Sequence, residues 1–243
     1  MAKGRAYIGT SGWHYDHWEG PFYPEGTPAD QRLAHYSQRL DTVELNNSFY
    51  QLPQRKTMEG WRRATPAGFS FAVKASRYIT HMKKLKDPDE PLANFLEPIS
   101  ALGDKLGPVL FQLPPNWRVN HDRLRGFLRA LPPGRRYVME FRDQSWFDER
   151  VLELLRRHNV AFCIYDLAGR GSPKRVTADF AYVRLHGPAE EAYQGCYTPR
   201  QLSGWAGALS AWLRQGKDAY CYFDNDQAGY AAQNALRLAD MLS

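Results

Sequence analysis

The sequence predicts an α/β protein, a single (β/α)8 TIM-like barrel over residues 1–243, and three observations predict it. Eight short apolar runs recur along the chain with room for a helix between most neighbours. Nearly every run finishes in a charged, amide or hydroxyl side chain, and barrels of this class build their sites at the C-terminal ends of their strands. The length of 243 residues matches the roughly 250 residues that one such barrel requires.

In order, the runs are AYIGTS (6–11), DTVELNN (41–47), FSFAVKA (69–75), PVLFQL (108–113), YVMEFR (137–142), VAFCIYD (160–166), FAYVRLH (180–186) and AYCYFDN (219–225). Alternation along each strand divides its side chains between the barrel interior and the helix layer. In the second run Val43 and Leu45 face the helices, which turns Thr42, Glu44 and Asn46 inward. The third places Phe71 and Val73 outward and Ala72 and Lys74 inward. Gln112 joins the interior from the fourth. The fifth turns Val138, Glu140 and Arg142 inward opposite Met139 and Phe141, and the seventh turns Tyr182, Arg184 and His186 inward opposite Val183 and Leu185. The parity of the sixth and eighth runs is open, so Asp166, Asp224 and Asn225 are weaker members of the set.

Helical patterns lie between the runs. Thr27-Pro28 offers an N-cap with proline at the first helical position, leading into Arg32-Leu-Ala-His-Tyr. Ser145 or Asp148 caps the helix through Val151 and Leu155. Thr198-Pro-Arg-Gln201 has capping-box spacing and opens a helix through Trp205, Leu209 and Trp212. After Asn225-Asp226, Ala232, Ala235, Leu236 and Ala239 share one face of a helix over 228–242. Two segments depart from the pattern. Residues 76–90 form a long basic and aromatic connection, and Gly169, Gly171 and Pro173 oppose a full helix, so the barrel is irregular between its sixth and seventh strands.

The composition, 43% hydrophobic and 24% charged, is that of a globular protein. A net charge of +6 favours anionic partners, with nucleic acid among them, although the only dense basic stretches are Lys83-Lys84-x-Lys86 and Arg135-Arg136. Three cysteines without CxxC spacing suit a reducing, cytoplasmic setting. Met1-Ala-Lys-Gly-Arg leads into too few apolar residues for a signal peptide, and no run approaches the ~18 apolar residues of a membrane helix. Phosphate-loop, dinucleotide and Gly-x-Ser-x-Gly signatures are absent, so the sequence points to no resident cofactor.

Several charges converging on one barrel mouth are rarely an accident, because buried charge is costly unless paired. One reading is an ion-pair plug, with Glu44 beside Lys74 and Glu140 beside Arg142. A metal centre is disfavoured, since Lys74, Arg142 and Arg184 share the space and repel a cation. The mixture of carboxylates and cations suits an anionic substrate. Arg142, Arg184 and Lys74 bind the anion, Glu44 or Glu140 moves the proton, and His186 assists. Lys74 has the alternative of forming a Schiff base. Asn46, Gln112 and Asn225 orient hydroxyls. Trp13, Trp18, Phe49, Tyr50, Tyr78, Trp117, Trp146 and Tyr193 frame the same end, where rings stack on sugars or nucleobases, and Trp146 is taken as a substrate contact.

The strings IGTSGWHYDHWEGPFYP, VELNNSFYQLP, FAVKASRYITHMKKL, LGPVLFQLPPNW, MEFRDQSW, YVRLHG and YFDNDQAGYAAQNA together resemble the YecE-like family, domain of unknown function 72, from about Ile8 to Leu238. One departure is Asp224, where the family pattern leads one to expect asparagine before Asn225. The resemblance implies a TIM-barrel-like fold and supports Glu44, Asn46, Lys74, Gln112, Glu140, Arg142, Arg184, His186 and Asn225 as the site, but it brings no activity. The function expected from the residues is acid–base chemistry on an anionic, polyhydroxylated compound such as a sugar phosphate or nucleotide-like molecule. The alternatives are a nucleic-acid-binding protein, for instance a phosphodiesterase acting on damaged DNA, and a non-catalytic metabolite-binding module. Nothing in the residues sets an oligomeric state.

Overall fold

Eight parallel strands close on themselves in a computed structural model that describes residues 3–243, so Met1 and Ala2 of the N-terminal stretch read for a signal peptide lie outside it. They are β1 (Ala6–Ser11), β2 (Thr42–Leu45), β3 (Ser70–Lys74), β4 (Leu106–Gln112), β5 (Tyr137–Glu140), β6 (Ala161–Leu167), β8 (Phe180–Leu185) and β9 (Asp218–Phe223). A two-residue strand, β7 (Arg170–Gly171), pairs antiparallel with the end of β6. The parallel pairing runs β1-β2-β3-β4-β5-β6-β8-β9 and returns from β9 to β1. Every apolar run of the sequence is one of these eight strands, with edges displaced by about two residues at most.

Helices α1 (Arg32–Tyr36), α2 (Arg55–Ala64), α3 (Asp89–Ile99), α4 (His121–Ala130) and α5 (Glu149–Arg157) separate successive strands from β1 to β6. α6 (Pro199–Arg214) joins β8 to β9, and α7 (Tyr230–Asp240) follows β9. Among the described residues no helix separates β6 from β8. There Ser172 caps the β6 edge, its Oγ accepting from Tyr165 N at 2.9 Å and its N–H donating to Tyr165 O at 2.9 Å. The glycines and proline of this segment thus exchange a crossover helix for a tight hairpin.

The caps are partly as expected. Thr198 and Gln201 form the reciprocal capping box of α6, and Asp148, not Ser145, caps α5 by accepting from Arg150 N. Thr27 does not cap α1: its hydroxyl donates to Pro24 O at 2.7 Å, and α1 begins only at Arg32 behind Gln31. Thr27 closes a turn from Pro24, and Pro28 opens the next one, to Gln31, ahead of the helix.

Alternation produces two apolar compartments. Outward residues such as Val43, Phe71, Val73, Met139, Phe141, Val183 and Leu185 pack in the layer between strands and helices. Inside the barrel lie Ala72, Leu110, Val138, Cys163, Phe180, Tyr182, Tyr220 and Tyr222. Cys163 and Tyr165 therefore set the parity of β6, and Tyr220 and Tyr222 that of β9. Asp224 faces the interior, whereas Asp166 and Asn225 belong to the outer parity. α6 buries Leu202, Trp205, Leu209 and Leu213 against the barrel, each contributing roughly 1.5–3 kcal/mol by leaving water. Among the described residues no helix is long and apolar enough to cross a membrane.

Candidate functional site

Above the apolar and aromatic interior, the next inward residues toward the C-terminal mouth are charged. Register sets their neighbours: Glu44 on β2 lies beside Ser11 and Ala72, Gln112 beside Glu140, and Arg184 between Tyr165 and Tyr222. The small side chains of Ser11, Ala72 and Cys163 leave room for the Arg184 guanidinium to cross the barrel. It reaches Glu44 Oε1 with Nε at 3.0 Å and Nη2 at 2.8 Å, and Glu140 Oε2 with Nη1 at 2.9 Å. Arg184 Nη2 also donates to Asp224 Oδ2 at 3.2 Å.

The two glutamates and Arg184 are almost wholly removed from solvent, with exposures of 0%, 0% and 1%. Glu44 is saturated, because Ser11 Oγ donates to Oε1 at 2.5 Å and Tyr182 OH to Oε2 at 2.6 Å besides the two bonds from Arg184. Glu140 also accepts from Arg142 Nε, and the Cys163 thiol lies 3.6 Å from its Oε2. Burial pushes the Glu140 carboxyl up, but the guanidiniums of Arg142 and Arg184 outweigh it and hold the group well below the usual carboxylate range. Burial opposes the charge on Arg184 as well, and Glu44 and Glu140 more than restore it.

His186 has its tautomer fixed by its partners. Nδ1 lies 3.0 Å from Asp224 Oδ2, and Nε2 lies 3.1 Å from Arg142 Nη2. A carboxylate only accepts and a guanidinium only donates, so Nδ1 bears the proton and Nε2 accepts. Burial lowers the His186 pKa, and the charge of Arg184 lowers it further against the pull of Asp224, so the imidazole is neutral. For Asp224, burial is outweighed by the hydrogen bond from His186 and the charge of Arg184, and its pKa falls. Gly187 follows at φ 109°, where a Cβ would stand 2.2 Å from Gln194 O; the tight turn brings Tyr193 back over His186, with ring centroids 5.5 Å apart.

Lys74 stands apart from this network. Its ammonium lies 4.5 Å from the centre of the Phe49 ring and makes no hydrogen bond or ion pair with another described residue. Burial, reinforced by the Arg184 charge, lowers it to about 8 although Glu140, Glu44 and Asp224 act to raise it. The expected neutralisation of Lys74 by Glu44 is therefore not what the geometry provides; Glu44 is spent on Arg184, Ser11 and Tyr182. The Glu140–Arg142 pair is present.

Four expected contacts lie elsewhere. Trp146 is fully buried, stacked on Phe141 at 4.9 Å with its Nε1 donating to Trp117 O, and takes part in the outer core. Asn225 donates to Gly195 O at 2.8 Å and Asn234 Oδ1 at 2.9 Å, tying the loop after β8 to α7. Trp13 and Trp18 are buried too, so of the aromatic frame it is Tyr50, Tyr78 and Tyr193 that stand exposed. Asn46 directly follows β2, and its Oδ1 is buried without a protein partner. Ser11, Cys163 and Tyr182 are members that residue type alone did not single out, although Ser11 ends the first run and Tyr182 has inward parity. His17 Nε2 lies 3.0 Å from Asp226 Oδ2. Among the described residues no group of three or more His, Cys, Asp and Glu side chains is arranged to hold a metal ion.

A closed parallel barrel with a buried charge network at the C-terminal mouth defines a TIM-barrel protein with its candidate site at that end. Residues 7–243 match the family described as "Protein of unknown function DUF72", and the chain belongs to that family. It is 27% identical to the UPF0759 protein YunF of Bacillus subtilis (strain 168), over 97% of this chain and 94% of that protein. With the UPF0759 protein YecE of Escherichia coli (strain K12) it shares 28% identity over 58% of this chain and 50% of the relative. The crystal structure of a DUF72 family protein from Thermotoga maritima MSB8 is similar at a TM-score of 0.88 and 32% identity, covering 98% of this chain and 99% of that one.

Proposed function

We propose that this protein is an enzyme that uses acid–base chemistry on an anionic, polyhydroxylated small molecule at the barrel mouth. The observation that supports it is the set of hydrogen-bonding positions the network leaves unfilled. Lys74 Nζ and Arg142 Nη1 have no partner among the described residues, and neither has Asp224 Oδ1. Asn46 Oδ1 is buried and unpaired, and Gln112 sits half-buried beside Glu140. Two cationic donors beside an acceptor and two amides match a phosphate or carboxylate on a compound rich in hydroxyls.

In this reading Arg184, Glu44 and Glu140 hold the constellation, Arg142 and Lys74 meet the anion, and the His186–Asp224 pair moves the proton. His186 enters as a neutral base whose Nδ1–H is fixed on Asp224, and substrate displaces Arg142 from Nε2. The test is thermal unfolding at low salt with inorganic phosphate, triose and pentose phosphates, the matching neutral sugars, and a short DNA oligonucleotide. A sugar phosphate at a hundred times its dissociation constant adds about 2.7 kcal/mol. The expected result is a shift with sugar phosphates that neutral sugars do not match and that Lys74→Met weakens at least tenfold in affinity. A shift with the oligonucleotide alone, steeply lost with salt, moves the reading to nucleic acid; no shift with any of them refutes it.

A further inference from the structure

We propose that Lys74 is a nucleophile that condenses with a carbonyl group of the substrate, with His81 as the neighbouring proton carrier. The proposal rests on the mouth being the binding site and adds the reactive group of the ligand, an aldehyde or ketone that meets Lys74, which leaves Arg142 to hold the anionic group.

Three carboxylates line the mouth, yet none meets Lys74: Glu44 holds Arg184, Ser11 and Tyr182, Glu140 holds Arg142 and Arg184, and Asp224 holds His186 and Arg184 through Oδ2 alone. The other lysines withdrawn from solvent find acceptors, Lys105 in the carbonyls of Arg62 and Thr65 and Lys217 in that of Ala178, whereas Lys74 has the face of Phe49 instead. A desolvated amine without a carboxylate partner keeps a substantial neutral fraction, and the neutral form is the nucleophile.

The second observation is the segment that follows β3. Tyr78–Met82 forms one turn of π-helix, an uncommon geometry that is frequent at functional sites. Beyond it Lys84 and Leu85 hold φ angles of 47° and 62°, in the left-handed region that non-glycine residues rarely occupy. This distorted turn sets the His81 ring edge-on against Phe49, 5.0 Å between centroids, so His81 and Lys74 flank the same aromatic ring. His81 Nδ1 is engaged with Thr80 Oγ1 at 2.9 Å, which leaves Nε2 without a partner among the described residues. Burial lowers the His81 pKa, and the charges of Lys74 and Arg77 lower it further, so the ring is a neutral proton acceptor on the same Phe49 ring as the amine.

The step balances without a further reactant. The Nζ lone pair attacks the carbonyl carbon, a C–N bond forms, and the π pair moves to oxygen. Nitrogen gives up its two protons and the oxygen gains two, with His81 relaying them. The C–O bond breaks, and one water leaves behind the imine. Borohydride then delivers hydride to the imine carbon and makes the link permanent.

The test is borohydride trapping of the full chain at pH 7.5 with glyceraldehyde 3-phosphate, dihydroxyacetone phosphate and the non-phosphorylated glyceraldehyde. Adducts are mapped by peptide mass spectrometry, and exposed lysines of the same chain serve as the internal background. The expected result is an adduct at Lys74 at least tenfold above the exposed lysines, absent in Lys74→Arg and slowed at least tenfold in His81→Gln. The His81→Gln variant should bind inorganic phosphate as the wild type does, which separates proton transfer from binding. Stabilisation by the sugar phosphates without an adduct at Lys74 overturns the imine and leaves the mouth as an anion site. Selective trapping by glyceraldehyde but by neither phosphate supports the imine and refutes the anionic substrate; no stabilisation and no adduct refute both.

Discussion

Arg184 is the residue whose removal tests the network most directly. Its guanidinium makes four hydrogen bonds to carboxylates, two to Glu44 and one each to Glu140 and Asp224. At about 1.5–3 kcal/mol for each charge-assisted bond, simple addition gives roughly 6–12 kcal/mol. Arg184→Met also abolishes the cost of burying the guanidinium itself, so the net loss is smaller. Breaking a buried pair by deleting one partner costs about 3–5 kcal/mol, because the stranded charge is uncompensated. In a chain of this length that is a fall in Tm of roughly 6–20 °C. The pH dependence has a definite sign. Glu140 has its pKa lowered in the fold, so its contribution is present above its ordinary value of 4.5 and is lost as pH falls below it. In the variant that carboxylate has less to lose, and the two proteins converge on acidification. Urea unfolding at pH 7 and pH 4 measures both. A loss under 1 kcal/mol at pH 7, or one that grows toward pH 4, refutes the argument that Arg184 compensates the glutamates.

Other consequences follow from single residues. Lys74→Met removes an ammonium whose pKa is lowered to about 8 from 10.5, so the variant is more stable by about 2–3 kcal/mol at pH 7, and its advantage fades as pH rises from 8 to 10.5; unfolding titrations across that range give the slope. Asp226 is raised to about 6 by burial, partly offset by the Trp18 Nε1 hydrogen bond of 2.7 Å and by His17. A raised carboxyl destabilises the fold above its folded pKa, so Asp226→Asn gains roughly 1–3 kcal/mol at pH 7 and nothing below pH 3.8, read as a Tm difference between the two pH values. Cys163 and Cys221 are wholly buried with thiols raised by burial, whereas Cys196 is half-buried. Iodoacetamide should therefore label Cys196 alone in the native protein, and mass mapping that finds Cys163 labelled before unfolding contradicts the closed interior.

The barrel was legible in the sequence because alternation is a local property. Val43 and Leu45, or Val183 and Leu185, need only their neighbours to declare which face meets the helices, and the inward positions of Glu44, Lys74, Glu140 and Arg184 follow. The missing crossover between β6 and β8 was equally local, written in Gly169, Gly171 and Pro173. The pairing within the mouth was not local. The choice of Arg184, rather than Lys74, as the partner of Glu44 depends on a side chain crossing the barrel and on the small neighbours Ser11 and Ala72 that give it space. The sequence also left Asp224 and Asn225 undivided, since a polar ending has no alternation to read; only pairing of β9 with β1 and β8 turns the first into the barrel and the second toward α7. Trp146 and His81 show the same limit from opposite sides, one buried in the layer between strands and helices and the other brought against Phe49 by a π-turn with no periodic signature. Burial and alternation are fixed by nearest neighbours along the chain, whereas the partner of a charge is fixed by distance in space, and only closure of the barrel sets that distance.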